Sequence, residues 1–123
     1  MKRVLVVEDD KNNMRLITKL LISEGYETIK AKTGEEGVKL AIEEKPDLIL
    51  MDIKLPGIDG LEATRRIRAS KCDDKIPIIA ITSFAMAGDR EKYLNEGFTG
   101  YIEKPIDPYK VIKEIEEIWK RNI

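Results

Sequence analysis

Three short runs in this chain are apolar at every position: Val4-Leu5-Val6-Val7, Leu48-Ile49-Leu50-Met51 and Ile78-Ile79-Ala80-Ile81. A strand with one wet face alternates apolar and polar residues, so an unbroken run marks a strand covered on both sides. Two more β-rich runs, residues 27–31 and 101–104, complete a set with residues 3–7, 48–52 and 78–82. An amphipathic helical pattern follows each of the five, and that alternation specifies parallel strands joined by helical crossovers. The expected fold is α/β: one doubly wound (βα)5 domain over residues 1–123, a five-stranded parallel sheet with helices on both faces.

Local signals punctuate the helices. Thr33-Gly34-Glu35-Glu36 reads as a capping box, with the Thr33 hydroxyl taking a free amide while Glu36 reaches back. Asp107-Pro108 places a cap residue before a proline at the first helical position. Val111, Ile112, Ile115, Ile118 and Trp119 then share one helical face. Gly25 and Gly97 stand where the first and fourth helices should stop, and Pro46 ends the second.

Composition narrows the function. At 123 residues the chain buries roughly two-thirds of its unfolded surface and folds without staples. One cysteine, Cys72, excludes an internal disulfide and reads as an inert thiol; without histidine the usual zinc and Cys–His sets are absent. With 22 Lys+Arg against 23 Asp+Glu, there is no basic excess for direct DNA binding. No apolar run is long enough to cross a bilayer, and Met1-Lys2-Arg3 leads into a strand rather than a signal peptide. A cytoplasmic location with no membrane contact is expected.

In an open parallel sheet, ligands bind at the carboxyl ends of the strands. There the sequence puts Glu8, Asp9 and Asp10 after the first strand, Asp52 at the end of the third, Thr82 at the fourth and Lys104 at the fifth. Crowded carboxylates repel, and oxygen ligands with water suit a hard cation, Mg²⁺ or Mn²⁺, that is shared with a phosphate. Lys104 offers a point charge and Thr82 a hydroxyl to phosphoryl oxygens. Asp52, a single carboxylate ending a buried central strand, is the candidate nucleophile toward phosphorus.

The stretches Val6-Val7-Glu8-Asp9-Asp10, Met51-Asp52-Ile53-Lys54-Leu55-Pro56-Gly57-Ile58-Asp59-Gly60, Ile81-Thr82-Ser83 and Gly100-Tyr101-Ile102-Glu103-Lys104-Pro105 resemble the receiver domain of two-component response regulators. The resemblance runs the length of the chain. It implies a flavodoxin-like sheet of strand order 2-1-3-4-5, and Asp52 as acceptor of a phosphoryl group from a phosphohistidine of a histidine kinase or phosphotransfer protein. It implies Mg²⁺ held by Asp9 directly, by Glu8 directly or through water, by Asp52 and by the backbone carbonyl of Lys54. Thr82 and Lys104 match the residues that hold the phosphoryl oxygens, and Tyr101 matches the aromatic switch that turns inward as the threonine moves. The Lys104–Pro105 bond is expected to be cis. Lys54 and Phe84 flank the phosphoryl group in that family and would tune dephosphorylation. The segment 82–89 is most similar to stand-alone and hybrid-kinase receivers, and no output domain is expected.

The expected role is a phosphoacceptor signalling domain, not an enzyme with a separate substrate, that promotes its own phosphorylation and dephosphorylation. Expected partners are the phosphohistidine donor, docking on Asn12, Asn13, Met14, Ile17, Pro105 and Ile106, and a downstream protein reading helix four, strand five and helix five. The chain would be a monomer or weak homodimer. Taken singly, the same residues have plainer readings. Asp9, Asp10 and Asp59 pass as helix caps, Thr82 as a strand-end hydroxyl, Lys104 as a surface lysine and Tyr101 as a fixed edge aromatic. Two rival functions also stand. An Asp-nucleophile phosphatase would carry a second acid where this chain has Lys54, and a pseudo-receiver would dimerise without accepting phosphate.

Overall fold

The computed structural model describes residues 2–70, 75–83 and 89–121, without the side chains of residues 89 and 90. Cys72 and Phe84 lie outside the described residues. Five strands alternate with five helices: β1 (Arg3–Val7), α1 (Lys11–Ser23), β2 (Glu27–Ala31), α2 (Gly34–Glu44), β3 (Leu48–Asp52), α3 (Gly60–Ala69), β4 (Ile78–Thr82), α4 (Asp89–Asn95), β5 (Gly100–Glu103) and α5 (Val111–Lys120). The strands form one parallel sheet in the order β2-β1-β3-β4-β5. None of the described helices is long and apolar enough to cross a membrane.

The doubly apolar runs are buried on both faces, as the pattern demands. Leu5, Val7, Ile49, Met51, Ile78 and Ala80 pack on one side with residues of α2, α3 and α4. Val4, Val6, Leu48, Leu50, Ile79 and Ile81 pack on the other with Met14, Ile17 and Leu21 of α1 and Val111 and Ile115 of α5. Each fully buried aliphatic side chain contributes about 1.5–3 kcal/mol, so the central strands form the rigid base on which the strand ends are held.

Three local readings need correction. β5 begins at Gly100 and ends at Glu103, so Lys104 is one residue past the strand, its amide bonded to the Thr82 carbonyl at 2.8 Å. α5 begins at Val111, because Asp107 caps a preceding turn: its side chain accepts from Tyr109 N, and its carbonyl accepts from Lys110 N and Val111 N. Met14 and Ile17 belong to the core, leaving Asn12 exposed and Asn13 half-buried on the outer part of α1. Asp10 caps α1 through Asn12 N and Asn13 N, Asp59 caps α3 through Glu62 N, and Thr33 caps α2 through Glu36 N. The Lys104–Pro105 peptide is cis.

α2 ends in an unusual way. Pro46 disfavours the right-handed helical region for the residue before it, and Lys45 turns left-handed, at φ 47 and ψ 61. A side chain bears a penalty there that glycine does not. Lys45→Gly is therefore expected to stabilise the protein by about 1 kcal/mol, seen as a higher urea midpoint; an unchanged or lower midpoint would contradict this account.

Candidate functional site

Alternation along each strand decides which face its last side chain serves. Glu8 continues the series Val4, Val6; Asp52 continues Leu48, Leu50; Lys104 continues from Ile102. All three therefore stand above the α1/α5 face, at the carboxyl edge of three different strands. Thr82 continues Ile78 and Ala80, and so belongs to the opposite face, with α4. Tyr101 is on that opposite face as well.

The acidic centre is tightly knit. Lys104 Nζ donates to Asp52 Oδ2 at 3.1 Å and lies 3.3 Å from Glu8 Oε1. The second Asp52 oxygen accepts from the Lys54 amide at 3.3 Å, and Glu8 Oε2 from the Asp10 amide at 3.2 Å. Glu8 is 1% exposed and Asp52 4%, whereas Asp9 is open to solvent. Burial, with the Asp52 carboxylate close by, pushes the Glu8 carboxyl up to about 7. Burial also disfavours the Lys104 ammonium, but the Asp52 and Glu8 carboxylates outweigh it and raise its pKa above the usual lysine value. The edge thus sets three carboxylates against one ammonium in a partly dehydrated place.

The residues fit a divalent cation. One oxygen each of Glu8, Asp9 and Asp52 lies within 4.8 Å of the others. Glu8 Oε1 is buried and makes no hydrogen bond among the described residues, and its charge partner, the Lys104 ammonium at 3.3 Å, is shared with Asp52, so the carboxylates outnumber the positive charge that faces them. All-oxygen donors of this kind select Mg²⁺ or Mn²⁺ over softer metals. The cavity above them holds about 210 Å³ and is also lined by Lys54, Thr82 and Lys104. That is below the range of pockets that enclose drug-sized ligands, and suits a hydrated ion with one phosphoryl-sized group.

The expected residues separate into two groups. Glu8, Asp9, Asp52, Lys54, Thr82 and Lys104 meet at the cavity, while Tyr101 is half-buried beside a different groove of about 530 Å³ among α4, β5 and α5. Asn13 and Ser83 also line the acidic cavity, a place the sequence reading did not give them. Tyr93 of α4 was missed altogether. It is 5% exposed, its hydroxyl is 3.1 Å from Thr82 Oγ1, and its ring centroid is 6.0 Å from that of Tyr101.

Comparison with known proteins agrees with this arrangement. Residues 4–116 match the response regulator receiver domain. The polar-differentiation response regulator DivK of Brucella ovis is 45% identical over 115 residues, covering 94% of each chain. The receiver domain of sensor histidine kinase PA1611 from Pseudomonas aeruginosa, solved with a magnesium ion coordinated in the active site cleft, superposes with a TM-score of 0.86 at 36% identity, over 97% of this chain and 98% of that one. The chemotaxis response regulator CheY4 of Vibrio cholerae gives a TM-score of 0.91 at 25% identity, over 96% and 98%.

Proposed function

The chain belongs to the response regulator receiver family, and from that premise we propose that Asp52 accepts a phosphoryl group from a phosphohistidine of a histidine kinase or phosphotransfer protein. One observation carries the reading: Asp52 ends a fully buried central strand with Lys104 Nζ at 3.1 Å and the carboxylates of Glu8 and Asp9 beside it.

An Asp52 oxygen attacks phosphorus in line with the donor's nitrogen. The P–O bond forms as the P–N bond breaks, and the departing electron pair stays on the imidazole nitrogen, which takes up a proton. Little covalent help is needed for such a transfer; positioning and charge neutralisation dominate. Glu8, Asp9, Asp52 and the Lys54 carbonyl would hold the cation. When bound, Mg²⁺ (or Mn²⁺ in its place) supplies positive charge at the phosphoryl oxygens and relieves the repulsion among the carboxylates. Lys104, held to Asp52 in the resting protein, transfers its hydrogen bond to a phosphoryl oxygen, and Thr82 donates to another. The magnesium in the PA1611 receiver cleft supports the metal assignment.

Asn13 of α1 lines the cavity, and with exposed Asn12 beside it and Pro105 and Ile106 directly after Lys104 it would form the surface a donor histidine approaches. Phosphorylation adds charge and acceptor oxygens, and the response reaches a protein target through α4, β5, α5 and Tyr101. The test is intact mass after incubation with acetyl phosphate and Mg²⁺. The wild type should gain one phosphoryl group, and Asp52→Asn or EDTA should abolish the gain. No gain with Mg²⁺ or Mn²⁺, nor from a purified phosphohistidine donor, would overturn the reading in favour of a phosphate-independent module.

A further inference from the structure

The Tyr93 hydroxyl has a place in this chemistry that the acceptor reading does not assign. It sits 3.1 Å from Thr82 Oγ1 in a buried bond, with Tyr93 5% and Thr82 1% exposed. Its ring is fixed by Phe98, centroids 6.0 Å apart and nearly perpendicular, and by Tyr101, also at 6.0 Å. Tyr93 of α4 thus touches both the strand-end hydroxyl and the half-buried aromatic of β5.

The faces of the sheet make this contact more than packing. Thr82 shares the face of Ile78, Ala80 and Tyr93, whereas Asp52 extends the series Leu48, Leu50 on the face of α1 and α5. Thr82 stands at the edge of the Asp52 cavity, but its hydroxyl is turned to Tyr93 on the α4 side. To serve a phosphoryl oxygen on Asp52 it must swing over the strand end. Either hydroxyl can be the donor in the Tyr93–Thr82 bond, but a phosphoryl oxygen can only accept, so Thr82 must aim its own proton at it. Turning to the phosphoryl group takes Thr82 away from Tyr93.

Resting on the acceptor reading above, we propose that Tyr93 is a positioning residue: its hydroxyl holds Thr82 on the α4 side in the resting protein, and phosphoryl binding exchanges that hydrogen bond for one to the phosphoryl group. Tyr93 opposes phosphoryl binding by the worth of the exchanged bond. The same exchange frees its ring and hydroxyl to shift against Tyr101, which carries the event to α4 and β5.

Tyr93→Phe keeps the ring and removes only the hydroxyl. In the presence of saturating Mg²⁺, the variant should bind beryllium trifluoride, a phosphoryl mimic, about three- to tenfold more tightly than wild type, the range expected for one neutral hydrogen bond. Mg²⁺ affinity measured alone should be unchanged, because Tyr93 is not among the acidic ligands. In a Thr82→Val background, adding Tyr93→Phe should change fluoride-complex affinity less than twofold, since the exchanged bond is already gone. Equal or weaker binding by Tyr93→Phe would overturn the proposal, as would the same gain in the Thr82→Val background, which would trace it to packing. Should the folded wild type bind Mg²⁺ but no beryllium trifluoride, the acceptor reading and this proposal would both fall. Wild-type binding that Tyr93→Phe leaves unaltered removes only the proposal.

Discussion

Metal-free protein is expected to lose about 2 to 3 kcal/mol of stability between pH 5 and pH 8, and Glu8→Gln to remove most of that loss. The cause is Glu8, 1% exposed and pushed from 4.5 up to about 7 by burial and by the neighbouring Asp52. Its folded pKa lies above its unfolded value, so between about 4.5 and 7 the native state holds the extra proton. Stability from this group is fully present below 4.5 and falls as pH rises through 7. Other shifted groups leave the window clear. Lys104 is raised above 10.5 and stays charged throughout it. Glu62 and Glu96, lowered by hydrogen bonds to arginines, act below 4.5. Urea unfolding in EDTA at several pH values, for wild type and Glu8→Gln, measures the effect; parallel pH profiles for the two would refute it. Mg²⁺ selects the ionised carboxylate, so it should restore stability most at pH 8 and release a proton on binding near pH 7. The instability is the counterpart of the site: a carboxylate buried without enough positive charge is one that a cation is needed to complete.

Much of the site was legible because parallel strands bring their carboxyl ends to one edge. Glu8, Asp52, Thr82 and Lys104 are far apart in sequence, yet each ends or follows a strand whose apolar run is plain to read, and the cavity gathers all four. Where the reading failed, the deciding contact was not local. Strand five starts at Gly100, which has no side chain to signal a strand; a Cβ there would come within 2.8 Å of Ile118 Cγ2 on α5. The start of α5 turned on whether Asp107 capped the helix or the turn before it, and both use the same residue type. Met14 and Ile17 were legible as core, since with Thr18 and Leu21 they make a helical stripe of buried positions, and the surface assignment overlooked that period. Tyr93 was out of reach. Its meeting with Thr82 depends on how α4 lies across the end of β4, and nothing in a helix of seven residues marks a tyrosine whose hydroxyl matters.

Gly60→Ala is expected to destabilise the protein by about 3 kcal/mol or more and to slow phosphoryl acceptance from acetyl phosphate about a hundredfold. Gly60 opens α3 directly behind Asp52, and its amide donates to the Ile53 carbonyl at 2.8 Å. A Cβ on it would collide with the Asp52 carbonyl oxygen and lie 2.9 Å from Ile53 Cα and 3.0 Å from the Asp52 carbonyl carbon. These are backbone atoms at the end of a fully buried strand, so no side chain can turn aside to make room. Relief requires α3 to retreat, pulling Ala63, Thr64 and Ile67 from the core, or the Asp52–Ile53 backbone to shift. The second route moves the Asp52 carboxylate relative to Lys104 and to the Lys54 amide that holds its other oxygen. Gly25→Ala is the matched control. Gly25 has φ 90 but nothing within 4 Å of its Cβ position, so that substitution bears backbone strain of about 1–2 kcal/mol and no collision. Urea unfolding and the rate of mass gain, measured for both variants, separate the two effects. If Gly60→Ala were no less stable than Gly25→Ala and as quickly phosphorylated as wild type, close backbone packing behind Asp52 would not be what holds its carboxylate in place.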